Sequence, residues 1–195
     1  MTRCYEIMRD LPTVPREYVD LAFRTVEESQ VPPQNPFNER HIIKNNKVSA
    51  SRANPRFDLE KHMSDWVNTH ISCEWLQISV ANSVPDQYIG NGNDTIHGPH
   101  TDTTRQYTLM YLLAVGNTDQ TTVFYQEPGF GVRRKRKLFP RDIDKLIKID
   151  SIVMPLHTWV YFDTSIIHSV ENIQSVRTAI QISFDCEPFG IFVRD

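Results

Sequence analysis

The hydrophobic pattern changes character once along the chain. Residues 16-REYVDLAFRTVEES-29 space Val19, Phe23 and Val26 at helical intervals, with acids and arginines between them. That periodicity predicts an amphipathic helix packed by one stripe on something larger. The run 31-VPPQNP-36 ends it, because proline removes a backbone donor and clashes with the preceding turn. Residues 58-DLEKHMSDWVNTHI-71 repeat the pattern, with Asp58 as N-cap and Leu59, Met63, Trp66, Val67 and His70 near one face. From residue 74 the texture becomes short apolar or alternating runs, rich in β-branched and aromatic residues: EWLQISVAN, YTLMYLLAV, TTVFYQ, KLIKIDSIVM, TWVYFD, IIHSVEN, RTAIQISF and FGIFV. Each run predicts a strand. No long helical pattern separates them, so the strands are expected to pair antiparallel in a sandwich or barrel. The expected architecture is mainly β with N-terminal helices: a helical part, 1–73, packing on a β core, 74–195.

Length and composition narrow this only slightly. A chain of 195 residues with 39% hydrophobic content can bury one good core, which makes a single domain the expectation. The formal charge of -3 gives no global attraction to nucleic acid or anionic lipid. A polyanion would have to meet the local run Arg133, Arg134, Lys135, Arg136 and Lys137, in a glycine-containing loop. A solvated loop is the plainer reading of that run, since no basic or aromatic stripe accompanies it. Three scattered cysteines without CxxC spacing predict reduced thiols in a reducing compartment. With no signal-like N-terminus and no apolar run near 18 residues, a cytoplasmic protein without a membrane span is expected.

The candidate chemistry lies where polar residues run into the second strand, 95-TIHGPHTDTTRQYTLMYLLAV-115. In extended chain, residues two apart face the same way, so His100 and Asp102 aim an imidazole and a carboxylate at one point. A structural role is also open to them, with Asp102 capping a turn and His100 bonding it. A second constellation sits in 158-TWVYFDTSIIHSVENIQSVRTAIQISF-184, where His168 ends one apolar run and Arg177 opens the next. Together the three side chains make a 2-His-1-carboxylate set, which binds a metal on one octahedral face and leaves three positions open. Arg177, expected beside His168 across a hairpin, is suited to grip a carboxylate through a forked ion pair. Taken singly, His168 also fits a core histidine and Arg177 a surface ion-pair partner.

HxD, a later His, and Arg nine positions beyond it at the head of an RxAIxIxF strand resemble the signature of the Fe(II)/2-oxoglutarate-dependent oxygenases. The texture is similar to the prolyl-hydroxylase type, in which Tyr-x-Gly-Asn-Gly precedes HxD; here it reads 88-YIGNGNDTIHGPHTD-102. The resemblance covers roughly residues 74–184. It implies a double-stranded β-helix (a cupin-like jelly roll) with the site in its mouth, and Fe(II), 2-oxoglutarate and O2 as cofactor and co-substrates. It assigns His100, Asp102 and His168 to the metal and Arg177 to the distal carboxylate of 2-oxoglutarate. Tyr88 matches a tyrosine that reaches toward the co-substrate, although two more residues separate its motif from His100 than in those hydroxylases. Tyr111 is a candidate for the second hydroxyl on that carboxylate, although the position that lines up is Leu112. Arg105 and Gln181 are candidates for substrate contact.

The implied reaction is hydroxylation of a prolyl residue, an amino acid or a related small molecule; the presence of Asp102 argues against the halogenating variants, which lack that ligand. Three other readings remain open at this level: an oxygenase acting on nucleic acid through residues 133–137, a non-oxidative metal-dependent enzyme of the cupin kind, and a non-catalytic binding module. The remaining histidines read as bystanders. His97 lies in a Gly-Pro loop, His157 in a turn, and His41, His62 and His70 in the helical part, while Trp159 and Phe162 read as core.

Overall fold

The computed structural model describes residues 3–30, 47–49, 59–83, 99–102, 105–115, 118–133, 143–172 and 177–192. Two helices, α1 (Arg16–Gln30) and α2 (Leu59–His70), cover a double sheet of nine strands among the described residues. The strands are β1 (Tyr5–Met8), β2 (Lys47–Ser49), β3 (Gln77–Ser83), β4 (Tyr107–Ala114), β5 (Thr121–Gln126), β6 (Ile147–Ile152), β7 (Trp159–Asp163), β8 (Ile167–Glu171) and β9 (Arg177–Phe184). They form a six-stranded sheet in the order β1-β7-β4-β9-β3-β2 and a three-stranded sheet in the order β6-β5-β8, and every pairing is antiparallel. The architecture is a jelly roll, with the chain changing sheet after β4, β6, β7 and β8 and helices on one outer face.

The alternation of strand residues explains the layering. Cross-strand partners share a face, so the registers Leu109↔Ile182, Tyr111↔Ile180 and Val80↔Ile180 stack one apolar layer. That layer meets Ala22 and Val26 of α1 and Leu59, Met63 and Val67 of α2 in a single buried cluster. Full burial of such side chains contributes about 1.5–3 kcal/mol each. The intervening residues, Leu112, Val160, Phe162 and Ala179, turn the other way and meet Phe124 and Ile152 of the smaller sheet. β4 and β9 are covered on both faces: β4 reads as a nearly continuous apolar run, and every residue of β9 is buried although its inward side is polar.

Several expectations need correction. FGIFV is not a strand: residues 189–192 bend, Gly190 takes a φ of 67°, and Phe192 packs its ring against Tyr107 and Tyr161 at centroid distances of 6.2 and 5.0 Å. The N-terminal part supplies strands as well as helices, β1 on one edge of the large sheet and β2 on the other. On α1 the buried stripe runs through Ala22, Thr25 and Val26, and Phe23 is exposed. β8 and β9 are not a hairpin, because they belong to different sheets. Nor are all three cysteines reduced: Cys73 and Cys186, separated by 113 residues, form a disulfide that ties the segment after α2 to the segment after β9. Cys4, next to the start of β1, is buried and lies outside that disulfide. No helix among the described residues is long and apolar enough to cross a membrane.

Candidate metal centre and anion pocket

The HTD segment is held in place by main-chain bonds. His100 and His168 exchange backbone hydrogen bonds, the His100 N–H donating to the His168 carbonyl at 3.0 Å and the His168 N–H returning one at 2.8 Å. The Asp102 N–H donates to the Thr164 carbonyl at 3.1 Å. His168 reaches the interior from β8, and Phe124, its cross-strand partner on β5, packs beside it. The turn that leads into β8 is built on Asp163, a wholly buried carboxylate. It accepts from the Ser165 N–H at 3.0 Å and from Arg133 Nε at 2.7 Å. A charge buried in this way needs its partner, so Arg133 is spent on the fold. Neither Asp163 nor this role of Arg133 was anticipated, although Asp-x-Ser is a recognisable side-chain turn signal.

These constraints bring His100, Asp102 and His168 together, with one ligand atom from each within 4.8 Å of the others. The two imidazole centroids are 4.6 Å apart, and His100 Nε2 lies 4.0 Å from Asp102 Oδ1. His168 Nδ1 donates to the Ile166 carbonyl at 2.9 Å, which leaves Nε2 as the nitrogen with a lone pair to offer. Burial, and secondarily the neighbouring His100, push the His168 pKa down to about 4, so the ring is neutral at ordinary pH. Two imidazoles and a carboxylate make a donor set for a divalent transition metal, and the arrangement fits one.

Arg105 and Gln181 lie beside the triad and face each other. Arg105 Nε and Nη2 each donate to Asp102 Oδ2 at 2.6 Å. The Gln181 amide oxygen, turned toward the guanidinium, accepts from Arg105 Nη1 at 2.6 Å and Nη2 at 2.8 Å. Arg177 opens β9 on the face that carries Ala179 and Gln181, directed between the sheets. It is 4% exposed. Its Nη2 meets the Met154 thioether at 2.6 Å, and its Nε has no hydrogen-bond partner among the described residues. Desolvation alone lowers its pKa to about 10, and no carboxylate pairs with it among the described residues.

The other candidates fall elsewhere. Tyr111 is on the opposite face of β4, 2% exposed, with its ring 4.9 Å from Trp159 and its hydroxyl bonded to the Val14 backbone. Its side chain is therefore in the helix-facing core, and Leu112 is the neighbour that turns inward. Tyr88, His97, His41 and Arg134–Lys137 lie outside the described residues. His157 occupies a turn at φ 53°, and His62 and His70 are exposed. Trp159 belongs to the helix-facing core, and Phe162 lines the interior 6.1 Å from the His168 ring.

No protein-family model matches this sequence, and no curated protein matches it. Among solved structures the chain is similar to a prolyl hydroxylase from Trichoplax adhaerens in complex with a hypoxia inducible factor oxygen degradation domain peptide fragment. The identity is 16%, the match covers 94% of this chain and 84% of that one, and the TM-score is 0.49. It is also similar to an N-substituted L-amino acid dioxygenase from Burkholderia ambifaria in complex with alpha-KG, at 10% identity, 87% and 78% coverage and a TM-score of 0.45. A Pseudomonas putida prolyl-4-hydroxylase matches at 11% identity, 87% and 83% coverage and a TM-score of 0.37. None of the three is close enough to lend this chain a function.

Proposed function

We propose that the protein is an Fe(II)- and 2-oxoglutarate-dependent dioxygenase that hydroxylates a prolyl residue, an amino acid or a related small substrate. The observation that carries this reading is the combination, inside one sandwich, of a metal-capable His-Asp-His set and a buried guanidinium with no carboxylate partner among the described residues. A buried cation left unpaired costs several kcal/mol, and such groups concentrate where a ligand supplies the missing charge.

His100, Asp102 and His168 would hold the iron. The chemistry Fe(II) supplies when bound is oxidative decarboxylation of the 2-oxo acid with O2, coupled to oxidation of a substrate C–H bond. The rest is the work of the chain. The Ile166 carbonyl holds the His168 ring through Nδ1, which would leave Nε2 to bind the metal. Arg177 would grip the distal carboxylate of 2-oxoglutarate in a fork, replacing its contact with Met154. Phe124, Phe162, Leu112 and Ile166 line the space between the sheets and keep water from the reacting groups. An action on nucleic acid finds little support here, because Arg133, the described member of the basic run, is bound to Asp163.

The test is anaerobic titration of metal-free protein with Fe(II) and then 2-oxoglutarate, following the visible charge-transfer absorption of a chelated 2-oxo acid. The band should require both additions and vanish in Asp102→Ala. Arg177→Ala should raise the concentration of 2-oxoglutarate needed on the order of 100-fold, the loss expected for one charge-assisted fork. Metal binding with no response to 2-oxoglutarate would reject the dioxygenase in favour of a non-oxidative metal enzyme. No metal binding would reject both. Turnover of prolyl peptides, free amino acids and nucleotides would then identify the substrate class.

A further inference from the structure

We infer that Arg105 is a positioning residue that restricts Asp102 to one ligand oxygen, and that Gln181 locks Arg105 in that task. The inference rests on the metal reading of the triad and adds the device that keeps the metal's other positions open. A carboxylate carries two equivalent oxygens on a soft torsion, and one that swings can take two coordination positions. Here the oxygens are not equivalent. Oδ1 is turned toward His100, and Oδ2 receives two donors from Arg105 at 2.6 Å.

Arg105 is built in rather than draped over the site. It is 8% exposed. Its Nη1 donates to Ser183 Oγ at 3.4 Å, and the Gln181 oxygen accepts from Nη1, Nη2 and Nε at 2.6, 2.8 and 3.1 Å. Its backbone carbonyl accepts from Thr164 Oγ1 at 3.3 Å, and the Thr164 carbonyl accepts from the Asp102 N–H. The carboxylate and its clamp therefore hang from one residue and move together. With Nε, Nη1 and Nη2 all engaged within the protein, Arg105 is poorly placed to receive a substrate. β9 thus carries the lock, Gln181, and the co-substrate anchor, Arg177, on one face four residues apart.

Groups that orient a ligand to a metal change affinity about 10- to 100-fold when removed. The experiment uses Co(II) alone as the probe, anaerobically and without any 2-oxo acid, measuring the dissociation constant and the visible ligand-field spectrum. Arg105→Met should weaken Co(II) binding about 10- to 100-fold and shift the spectrum as Asp102 changes its mode. Arg105→Lys, which keeps the charge but not the fork, should recover part of the affinity. Gln181→Leu should move the spectrum in the same direction by less. Circular dichroism establishes that each variant is folded, and if Arg105→Met is not, Gln181→Leu carries the test. Folded variants with the affinity and spectrum of the parent would overturn the inference and leave the triad intact. A parent protein that binds no Co(II) would overturn the metal reading and the inference together.

Discussion

The two faces of the six-stranded sheet are made from alternate residues of the same strands, and they serve opposite ends. The helix-facing side presents Ile78, Val80, Leu109, Tyr161, Ile180, Ile182 and Phe184, each fully buried against α1, α2 or the C-terminal segment. On β9 and its neighbours the inward side presents Arg177, Gln181, Ser183, Ser79 and Thr108, also buried, yet carrying polar groups that the described residues do not all satisfy. Toward β7 and β1 the same inward side becomes apolar again, with Val160, Phe162 and Ile7. Stability is thus concentrated on one surface and the candidate chemistry on half of the other. A single residue step along a strand separates the two.

That division can be broken by substitution. Ile180→Ala on the helix-facing side should cost about 2–5 kcal/mol of unfolding free energy, the range for truncating a fully buried aliphatic side chain. The Co(II) affinity of the protein that remains folded should be unchanged, because Ile180 turns away from the interior. Urea denaturation and metal titration on one sample measure both quantities. A Co(II) constant that falls with the stability would mean that the two faces are not independent.

A second, smaller effect is expected with acid. The His168 pKa is lowered from 6.5 to about 4 by burial first and by His100 second, against the opposing pull of Asp102. Between those values the unfolded chain binds a proton that the folded one refuses, so stability is full above pH 6.5 and declines as the pH falls toward 4. The decline should total about 3 kcal/mol for metal-free protein, the free energy that corresponds to moving the pKa from 6.5 to about 4. Urea midpoints in a chelating buffer at pH 7 and pH 4.5, compared with those of His168→Gln, isolate this contribution. An equal loss in both proteins would assign the acid sensitivity to other groups.

How much of this was legible in the sequence depended on how local the signal was. TTVFYQ and RTAIQISF coincide with β5 and β9 because alternation and β-branched content define central strands without help. β1 and β2, at four and three residues, are too short to show a period and exist because an edge of the large sheet accepts them. FGIFV has strand composition, yet its glycine turns the chain, so its aromatics pack as a lid on Tyr107 and Tyr161. His100, Asp102, His168 and Arg177 stand out by spacing, but whether the turn from β8 to β9 stays in one sheet is decided by the partners of each strand. Parity is equally unforgiving. Tyr111 and Leu112 are adjacent, and only the register of β4 against β9 tells which one faces inward. The Cys73–Cys186 pair, across 113 residues, required the whole fold.

The smallest effect sharpens the comparison most. Ser79 sits on β3 opposite Gln181, wholly buried on the inward face, and its hydroxyl has no hydrogen-bond partner among the described residues. A buried hydroxyl left unsatisfied costs about 1–3 kcal/mol, and alanine removes that cost while opening almost no cavity. Ser79→Ala should therefore raise stability by about 1 kcal/mol in the ligand-free protein, a change that a urea midpoint resolves. Shortening an aliphatic side chain of the helix-facing surface gives no such gain, because it only removes contact. If Ser79→Ala destabilises instead, the hydroxyl has a partner in solution, such as a trapped water, and the inward face contributes more to the fold than its orphaned polar groups suggest. If the gain is present without ligand and disappears with metal and 2-oxoglutarate bound, the hydroxyl belongs to the site, and the inward face is completed by what it binds.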